Sequence, residues 1–365
     1  QKTASILPDR CWRIMVNWYS GLTVSLKWGS LMSMPVPVER GTRQGGLSSP
    51  FLFNVFYEEL ISTLNEMKCG VTIRGMNFNV HCYADDILLV STTITGLQQL
   101  IDTAVSYINE HGLRFNASKS ACMVYSEKSN MKDSPTWTIE GNRIPIVSQR
   151  DGMVYLGAAL NNDQGSAHVE RRAKSAFKAF YGLQGAGLHF DGVSPAVAAD
   201  MYNVGVRTVL LYGSSSIHLS RKAMKKIETT QGKIVKAVLG LTKYSRTTPL
   251  TEALRITPVE ESIGVGSIQV LRSCLFNSSN ARRFYAYLLS MPSVLLKNTL
   301  IHSALCFTRD NGFDFNNFVF SDAYYMSKKK RVFNYNDGLS DSIRTLFNDY
   351  GYGARTMLQL LVNPF

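Results

Sequence analysis

Phe78-Asn79-Val80-His81-Cys82-Tyr83-Ala84-Asp85-Asp86-Ile87-Leu88-Leu89-Val90-Ser91 sets two short apolar runs, 78–82 and 87–91, on either side of the tetrad Tyr83-Ala84-Asp85-Asp86. The pattern predicts two antiparallel strands joined by a tight turn with carboxylates at its tip. Adjacent carboxylates repel one another unless a positive charge lies close by, and a divalent cation relieves that repulsion. Magnesium prefers oxygen ligands and takes one or two carboxylates together with substrate phosphates. A pair of such ions about 3.5–4 Å apart can stabilise the attacking and leaving oxygens of phosphoryl transfer. Asp85 is the expected ligand, with Asp86 beside it. Standing alone, an Asp-Asp pair more often makes only a polar turn, so the flanking sequence has to decide.

Upstream, Cys11, Trp12, Ile14, Met15, Trp18 and Tyr19 recur near helical spacing from Arg10 to Tyr19, and Gly21 follows as a stop. A strand pair is expected through 23–28 and 34–39, delivering the chain to Gly41-Thr42-Arg43-Gln44-Gly45-Gly46. Ser48 or Ser49 is placed to cap a helix with Pro50 in its first turn. Phe51, Leu52, Val55, Phe56, Leu60, Ile61 and Leu64 form that helix's expected buried face. Downstream, Leu97, Leu100, Ile101, Ala104, Val105 and Ile108 mark an amphipathic helix that Gly112 ends. A strand around 121–125 comes next, then a hairpin of 137–139 with 144–146 about Gly141-Asn142, leading to Val154-Tyr155-Leu156-Gly157.

After about Gly165 the pattern turns helical. Val169, Ala173, Ala176, Phe177, Phe180 and Tyr181 open a series that runs beyond Leu241. Arg171, Arg172, Lys174 and Lys178 decorate the first of these helices, and Arg221, Lys222, Lys225, Lys226, Lys233 and Lys236 a later one. Residues 248–365 read as mainly helical with irregular loops and without an internal repeat.

With 45% hydrophobic and 18% charged residues in 365, the composition is that of a soluble globular chain. Lys and Arg outnumber Asp and Glu by 39 to 27, and a net charge of +12 draws a polyanion. No apolar run approaches the roughly 18 residues of a membrane span, and the opening Gln1-Lys2-Thr3-Ala4-Ser5 lacks the apolar stretch of a signal peptide. The expected location is intracellular, nuclear or cytoplasmic, with no membrane partner. The six cysteines never form a C-x-x-C pair, so buried free thiols are expected rather than a zinc knuckle or disulfide framework. A start at Gln1, within ordinary domain sequence, suggests truncation at the front.

Arg43-Gln44-Gly45-Gly46-Leu47-Ser48-Ser49-Pro50 followed by Tyr83-Ala84-Asp85-Asp86 resembles the ordered motif set of reverse transcriptases, in particular those of retrotransposons lacking terminal repeats. Gly112-Leu113-Arg114-Phe115-Asn116-Ala117-Ser118-Lys119-Ser120 looks like the family's next motif, and Tyr155-Leu156-Gly157 like its primer grip. Leu211-Tyr212-Gly213, then a helix ending near Leu239-Gly240, resembles the region beyond the palm. The similarity covers about residues 1 to 260, and its specificity lies in the order of the motifs.

The resemblance implies an α+β fold: a partial polymerase palm over 1–160 (an antiparallel sheet with helices), a helical thumb-like region over 161–245, and a helical C-terminal region over 246–365 of unknown role. It makes Asp85 a metal ligand and Asp86 its acidic neighbour in a two-magnesium (Mg2+) site, with Tyr83 against the primer end. Arg43, Gln44, Gly45 and Gly46 would line the template and incoming-nucleotide side, although Gly46 stands where the family more often has an acidic residue. Lys119 matches the lysine thought to neutralise or protonate departing pyrophosphate. The implied partners are an RNA template, a DNA primer and deoxynucleoside triphosphates, and the basic helices after Gly165 would grip the nucleic-acid backbone. Lys328-Lys329-Lys330-Arg331 is a weak candidate for nucleic-acid contact or nuclear targeting.

The family's first catalytic motif carries an aspartate that bridges both metals a few dozen residues ahead of the Arg43 run, and no segment here matches it. Asp9 is the only acidic residue before Glu39, and its place after Pro8 suits helix capping. Fingers and an endonuclease are also not recognised. Two other classes remain in view: an RNA-binding, maturase-like module, and a noncatalytic relic that keeps the motifs as scaffold. The first would carry an RNA-binding segment after the thumb, and the second would show no salt-dependent affinity for a primer–template. The isolated 365-residue chain is expected not to extend a primer. Magnesium-dependent templated DNA synthesis by the purified chain, abolished in Asp85→Ala, would refute that expectation.

Overall fold

A computed structural model describes residues 7–38, 41, 45–125, 135–161, 163–186, 193–277 and 279–312. Helices and short strands mix in an α+β arrangement, and the chain divides into two compact units, residues 1–121 with 128–145 and residues 122–127 with 146–365.

The first unit opens with helix α1, Asp9–Tyr19. Asp9 does not cap it. Pro8 holds the cap position without a side-chain bond, and Asp9, inside the first turn, pairs with Arg13 at 2.8 Å. The strand pair that follows is a hairpin longer than expected. β1 (Thr23–Val24) pairs with β4 (Val36–Pro37), and β2 (Lys27–Trp28) pairs with β3 (Leu31–Met32) across a turn where Gly29 has φ +60°. Helix α2, Ser49–Glu66, carries Pro50 in its first turn, but Ser48 at the cap has helical backbone and makes no side-chain cap bond. Its buried positions are Val55, Tyr57, Leu60 and Leu64, while Phe51 is exposed. The true face is therefore turned toward Tyr57, which amphipathic counting passed over.

β5 (Thr72–Ile73) and β6 (Met76–Asn77) form a hairpin that the sequence reading missed, with Arg74 and Gly75 both at positive φ. The acidic hairpin follows as β7 (Val80–Tyr83) and β8 (Asp86–Leu89). Helix α3, Ile94–Glu110, is capped by Thr93, whose Oγ1 accepts the Gly96 N–H at 3.0 Å. β9 (Cys122–Met123) belongs to the second unit. β10 (Thr138–Ile139) and β11 (Asn142–Arg143) turn at Glu140-Gly141, one residue earlier than expected, because both residues take positive φ and close a two-residue loop.

Tyr57, Leu60, Leu64, Val80, Leu100, Ala104 and Ile108 form one core cluster, which sandwiches α2 against β7 and α3. Asn79, 1% exposed, fixes the end of that sandwich. Its Nδ2 donates to the Leu64 and Met67 carbonyls, each at 2.8 Å, and its Oδ1 accepts the Val71 N–H at 3.0 Å. The carbonyls of a helix's last turn lack partners within the helix, so one side chain satisfies the end of α2 while anchoring the chain entering β7. Gly70 makes room, since a Cβ there would lie 1.9 Å from Asn79 Oδ1.

In the second unit β12 (Ile146–Val147) runs parallel to β9, and β13 (Met153–Tyr155) pairs with β14 (Ala158–Leu160) about Leu156-Gly157. Helices follow: α4 (Ser166–Gly185), α5 (Pro195–Met201) continuing through a wider π-type turn, Tyr202–Arg207, into α6 (Thr208–Leu211), and then α7 (Arg221–Val238). After them come α8 (Thr247–Ala253), α9 (Val259–Asn277), α10 (Ser279–Leu289) and α11 (Leu300–Asp310). The helical character expected after Gly165 is present. Phe180, Tyr202, Leu210, Ile227 and Ile234 fill its main core, whereas Tyr181 is exposed. Lys328–Arg331 lies outside the described residues. All six cysteines are free, but only Cys122 is buried and Cys11 is exposed, so the expectation of uniformly buried thiols fails. No helix among the described residues is long and apolar enough to cross a membrane.

Asn79→Ala leaves buried carbonyls and an amide without partners, at roughly 1–3 kcal/mol per group. Urea unfolding followed in the first unit is expected to show a loss of about 2–4 kcal/mol for Asn79→Ala and a comparable loss for Gly70→Ala. Wild-type stability in both variants would contradict the assignment.

Candidate active site

The closing rung Tyr83↔Asp86 leaves Ala84 and Asp85 as the only residues of the turn between β7 and β8. So tight a connection requires positive φ, and Ala84 supplies it at +50°, in a region that disfavours residues with a Cβ. Asp85 is thereby pushed beyond the ends of both strands, and Asp86 begins the return. Both carboxylates are exposed, as is Tyr83 at 65%. As cross-strand partners, Tyr83 and Asp86 share one face of the ribbon, and Cys82 and Ile87, the next rung, are half-buried.

Beneath the turn the surroundings are apolar. Burial pushes the Cys82 thiol up to about 11. Tyr57 of α2 is pushed up to about 12, first by burial and then by Cys82, Asp85 and Tyr107. Its ring also lies 5.1 Å from Phe53 and 5.2 Å from Phe56. The helix that follows the glycine loop and the acidic hairpin therefore lie against each other.

Of the glycine-loop residues, Arg43 and Gln44 lie outside the described residues. Gly45 is exposed with φ +78°, where any side chain would be strained, and the Gly46 carbonyl accepts the Ser49 N–H at 3.1 Å as the chain turns into α2. Lys119 is exposed at the end of a short 3-10 turn, Ala117–Lys119. Asn116 organises that turn, its Oδ1 accepting the N–H of Ser118 at 3.0 Å and of Lys119 at 3.3 Å. Arg114, Asn116, Ser118 and Arg143 line an adjoining open cleft of about 770 Å³. The structure thus joins Tyr83, Asp85 and Asp86 on one turn, sets Gly45 and Gly46 at the foot of the helix packed against that hairpin, and carries Lys119 on a separate turn after α3. Among the described residues no group of three or more His, Cys, Asp or Glu is arranged to hold a metal. Two adjacent exposed carboxylates nonetheless fit a hard cation that completes its shell with phosphate and water.

In the second unit the Leu156-Gly157 turn is braced by three side chains. Tyr212 Oη donates to the Leu156 carbonyl at 3.1 Å, and Arg172 Nη2 donates to the Gly157 carbonyl at 3.2 Å. The Arg172 guanidinium also lies 5.2 Å from the Tyr212 ring centroid. Gly157 has φ +77°, and a Cβ there would meet the Tyr212 ring at 2.9 Å. His168 is fully buried; its Nδ1 accepts the Ala159 N–H at 3.4 Å, leaving Nε2 to donate to the Tyr212 carbonyl at 3.0 Å. Burial lowers its pKa, which suits this neutral tautomer. Tyr155-Leu156-Gly157 and Leu211-Tyr212-Gly213, separate motifs in the sequence, are one contact in space. Sequence reasoning placed Arg172 with the solvated cations and overlooked His168, and no local pattern sets either apart.

Arg171, Lys174 and Lys178 are exposed on α4, as are Arg221, Lys222, Lys225, Lys226 and Lys233 on α7. The two helices pack together through the main core; among the described residues Lys226 forms a salt bridge with Glu170 at 3.4 Å, and Lys225 lies near enough to Glu228 to favour its charged form.

Residues 1–160 match the family described as reverse transcriptase (RNA-dependent DNA polymerase). The chain is 30% identical over 147 residues to the retrovirus-related Pol polyprotein from type-2 retrotransposable element R2DM of Drosophila melanogaster, covering 39% of this chain and 14% of that protein. It is 26% identical over 242 residues to a Pol polyprotein from type-1 retrotransposable element R2 of Popillia japonica, covering 63% of this chain and 47% of the relative. Against the RNA-directed DNA polymerase from mobile element jockey of Drosophila melanogaster it is 19% identical over 270 residues, covering 72% of this chain and 28% of the relative. The chain therefore spans less than half the length of each of these relatives. Over residues 1–160 the chain is thus similar to the reverse transcriptase family, and to the Pol polyproteins of R2 retrotransposable elements in particular.

Proposed function

We propose that this chain contributes the acidic turn and the nucleic-acid-holding helices of an RNA-directed DNA polymerase, with residues 1–160 as palm, 161–245 as thumb and 246–365 as a C-terminal region of unknown role. The observation that carries the reading is the two-residue turn that projects Asp85 and Asp86, with Tyr83 beside them, from a hairpin packed on the helix after Gly45-Gly46. In the reaction a primer hydroxyl attacks the α-phosphate of an incoming deoxynucleotide and pyrophosphate leaves. Asp85 and Asp86 would hold magnesium, which when bound supplies the positive charge that stabilises the attacking and leaving oxygens.

The chain's own groups do the rest. Tyr83 bears on the primer end, and Gly45 and Gly46 let backbone approach the nascent base pair closely. By the motif they match, Arg43 and Gln44 would contact template and nucleotide, and Lys119 would neutralise or protonate the departing pyrophosphate. Arg172, Tyr212 and His168 hold the Leu156-Gly157 turn rigid against the primer strand. The cations of α4 and α7 bind the phosphates of an RNA template paired to a DNA primer.

Affinity for an RNA–DNA primer–template is expected to fall linearly with the logarithm of salt concentration, by roughly 0.9 per phosphate contact. Replacing Lys225, Lys226 and Lys233 with alanine should reduce that slope by about 2–3. Manganese bound in the presence of primer–template and nucleotide, read by electron paramagnetic resonance, should be lost in Asp85→Asn and kept in Asp9→Asn. Salt-insensitive binding would favour a noncatalytic relic, and salt-dependent RNA binding with no metal dependence on Asp85 would favour a maturase-like module.

A further inference from the structure

Between Thr229 and Thr251 the chain carries Lys233, Lys236, Lys243 and Arg246 and not one Asp or Glu. The loop in the middle of this stretch, 239–246, is held at several points. Gly240, at φ +64°, terminates α7, and the Leu241 N–H returns to the Lys236 carbonyl at 2.9 Å, a common helix-ending pattern. Leu239 is buried, and so is Ser245, whose N–H donates to the Thr242 carbonyl at 3.2 Å. Lys236 Nζ donates to the Lys243 carbonyl at 3.1 Å. Gly232 lies close against Thr247 on the far side, a Cβ there falling 2.9 Å from it.

This anchored loop presents Tyr244, which is 78% exposed, with the Lys243 ammonium 5.0 Å from its ring centroid. An apolar protein partner would have to desolvate the surrounding cations without compensation. A polyanion that also offers flat π faces meets both features. Single-stranded nucleic acid is held in this way, by cations tracking the backbone and an aromatic ring on which a base stacks. A duplex satisfies only the first feature, because its bases are already stacked on one another.

We infer that Tyr244 is a stacking platform for an unpaired nucleobase, with Lys243, Lys236 and Arg246 holding the flanking phosphates. The inference rests on the nucleic-acid-binding reading above and adds a strand state to it: the loop holds single-stranded nucleic acid beside the duplex.

The test uses the full 365-residue chain and three probes: a blunt RNA–DNA duplex, the same duplex with a ten-nucleotide overhang, and the overhang alone. Overhang and free strand are each made in RNA and in DNA, with 2-aminopurine reporting stacking. Tyr244→Ala is expected to weaken overhang and single-strand binding about 5- to 150-fold and to leave the blunt duplex within about twofold. Tyr244→Trp should restore binding and 2-aminopurine quenching, and the salt slope should stay unchanged. Equal losses on RNA and DNA would identify the bare base as the ligand, and a loss on one alone would name the strand. Wild-type overhang binding in Tyr244→Ala, or an equal loss on the blunt duplex, overturns the inference and leaves the nucleic-acid reading standing. Failure of the unmodified chain to bind any probe overturns both.

Discussion

The buried Asn79 side chain is the constraint on which the first unit's geometry depends. A hairpin of four-residue strands is marginal by itself, and its tip is placed by whatever grips its base. Asn79 sits one residue before β7 and bonds the last turn of α2 and the start of the β5 hairpin at once. Val80, Leu60 and Leu64 then exclude water from those bonds, which makes any loss of partner costly. Because the hairpin turns after a fixed number of rungs, an anchor at 79 determines where Asp85 and Asp86 emerge relative to the helix that follows the glycine loop.

The second unit uses the same device on a different turn. Leu156-Gly157 is another two-residue connection with both central residues at positive φ, and Tyr212, Arg172 and His168 hold it through backbone carbonyls and one amide. Rigid turns gripped at their bases from buried helices fit the proposed role of holding a nucleic-acid strand without depending on its sequence. Contacts of that kind read shape and charge. The cations on α4 and α7 fit the same logic, since of these only Lys226 forms a salt bridge among the described residues.

Much of this was legible in the amino-acid order. The acidic hairpin, the helices 49–66 and 94–110, and the helices described between Ser166 and Asp310 follow from apolar periodicity and the placement of Gly and Pro. The errors have local physical causes. Asp9 and Ser48 carry cap chemistry, yet Pro8 occupies one cap and helical backbone at Ser48 spoils the other. The Glu140-Gly141 turn was placed one residue late because Gly141-Asn142 is the more familiar turn pair, while the strands' register required positive φ at Glu140. Tyr57 and Phe51 exchanged burial because the face of α2 is set by what packs on it rather than by hydrophobicity alone. The roles of Asn79, Arg172 and His168 could not be read locally, since each is defined by partners 8 to 44 residues away. For the site itself, the order of motifs identified the acidic turn, whereas the bracing that makes it a defined geometry emerged only from the fold.

On the function proposed here, the turn at Asp85 and Asp86 holds a divalent ion beside the helix that follows Gly45-Gly46. The most direct measurement replaces magnesium with ferrous iron in the presence of primer–template and nucleotide, and maps where hydroxyl radicals generated at the ion cut the chain. Cleavage concentrated within residues 83–87 and 45–52, and suppressed by excess magnesium, is the predicted result. Cuts elsewhere, or none that magnesium suppresses, would show that the acidic turn does not hold the ion.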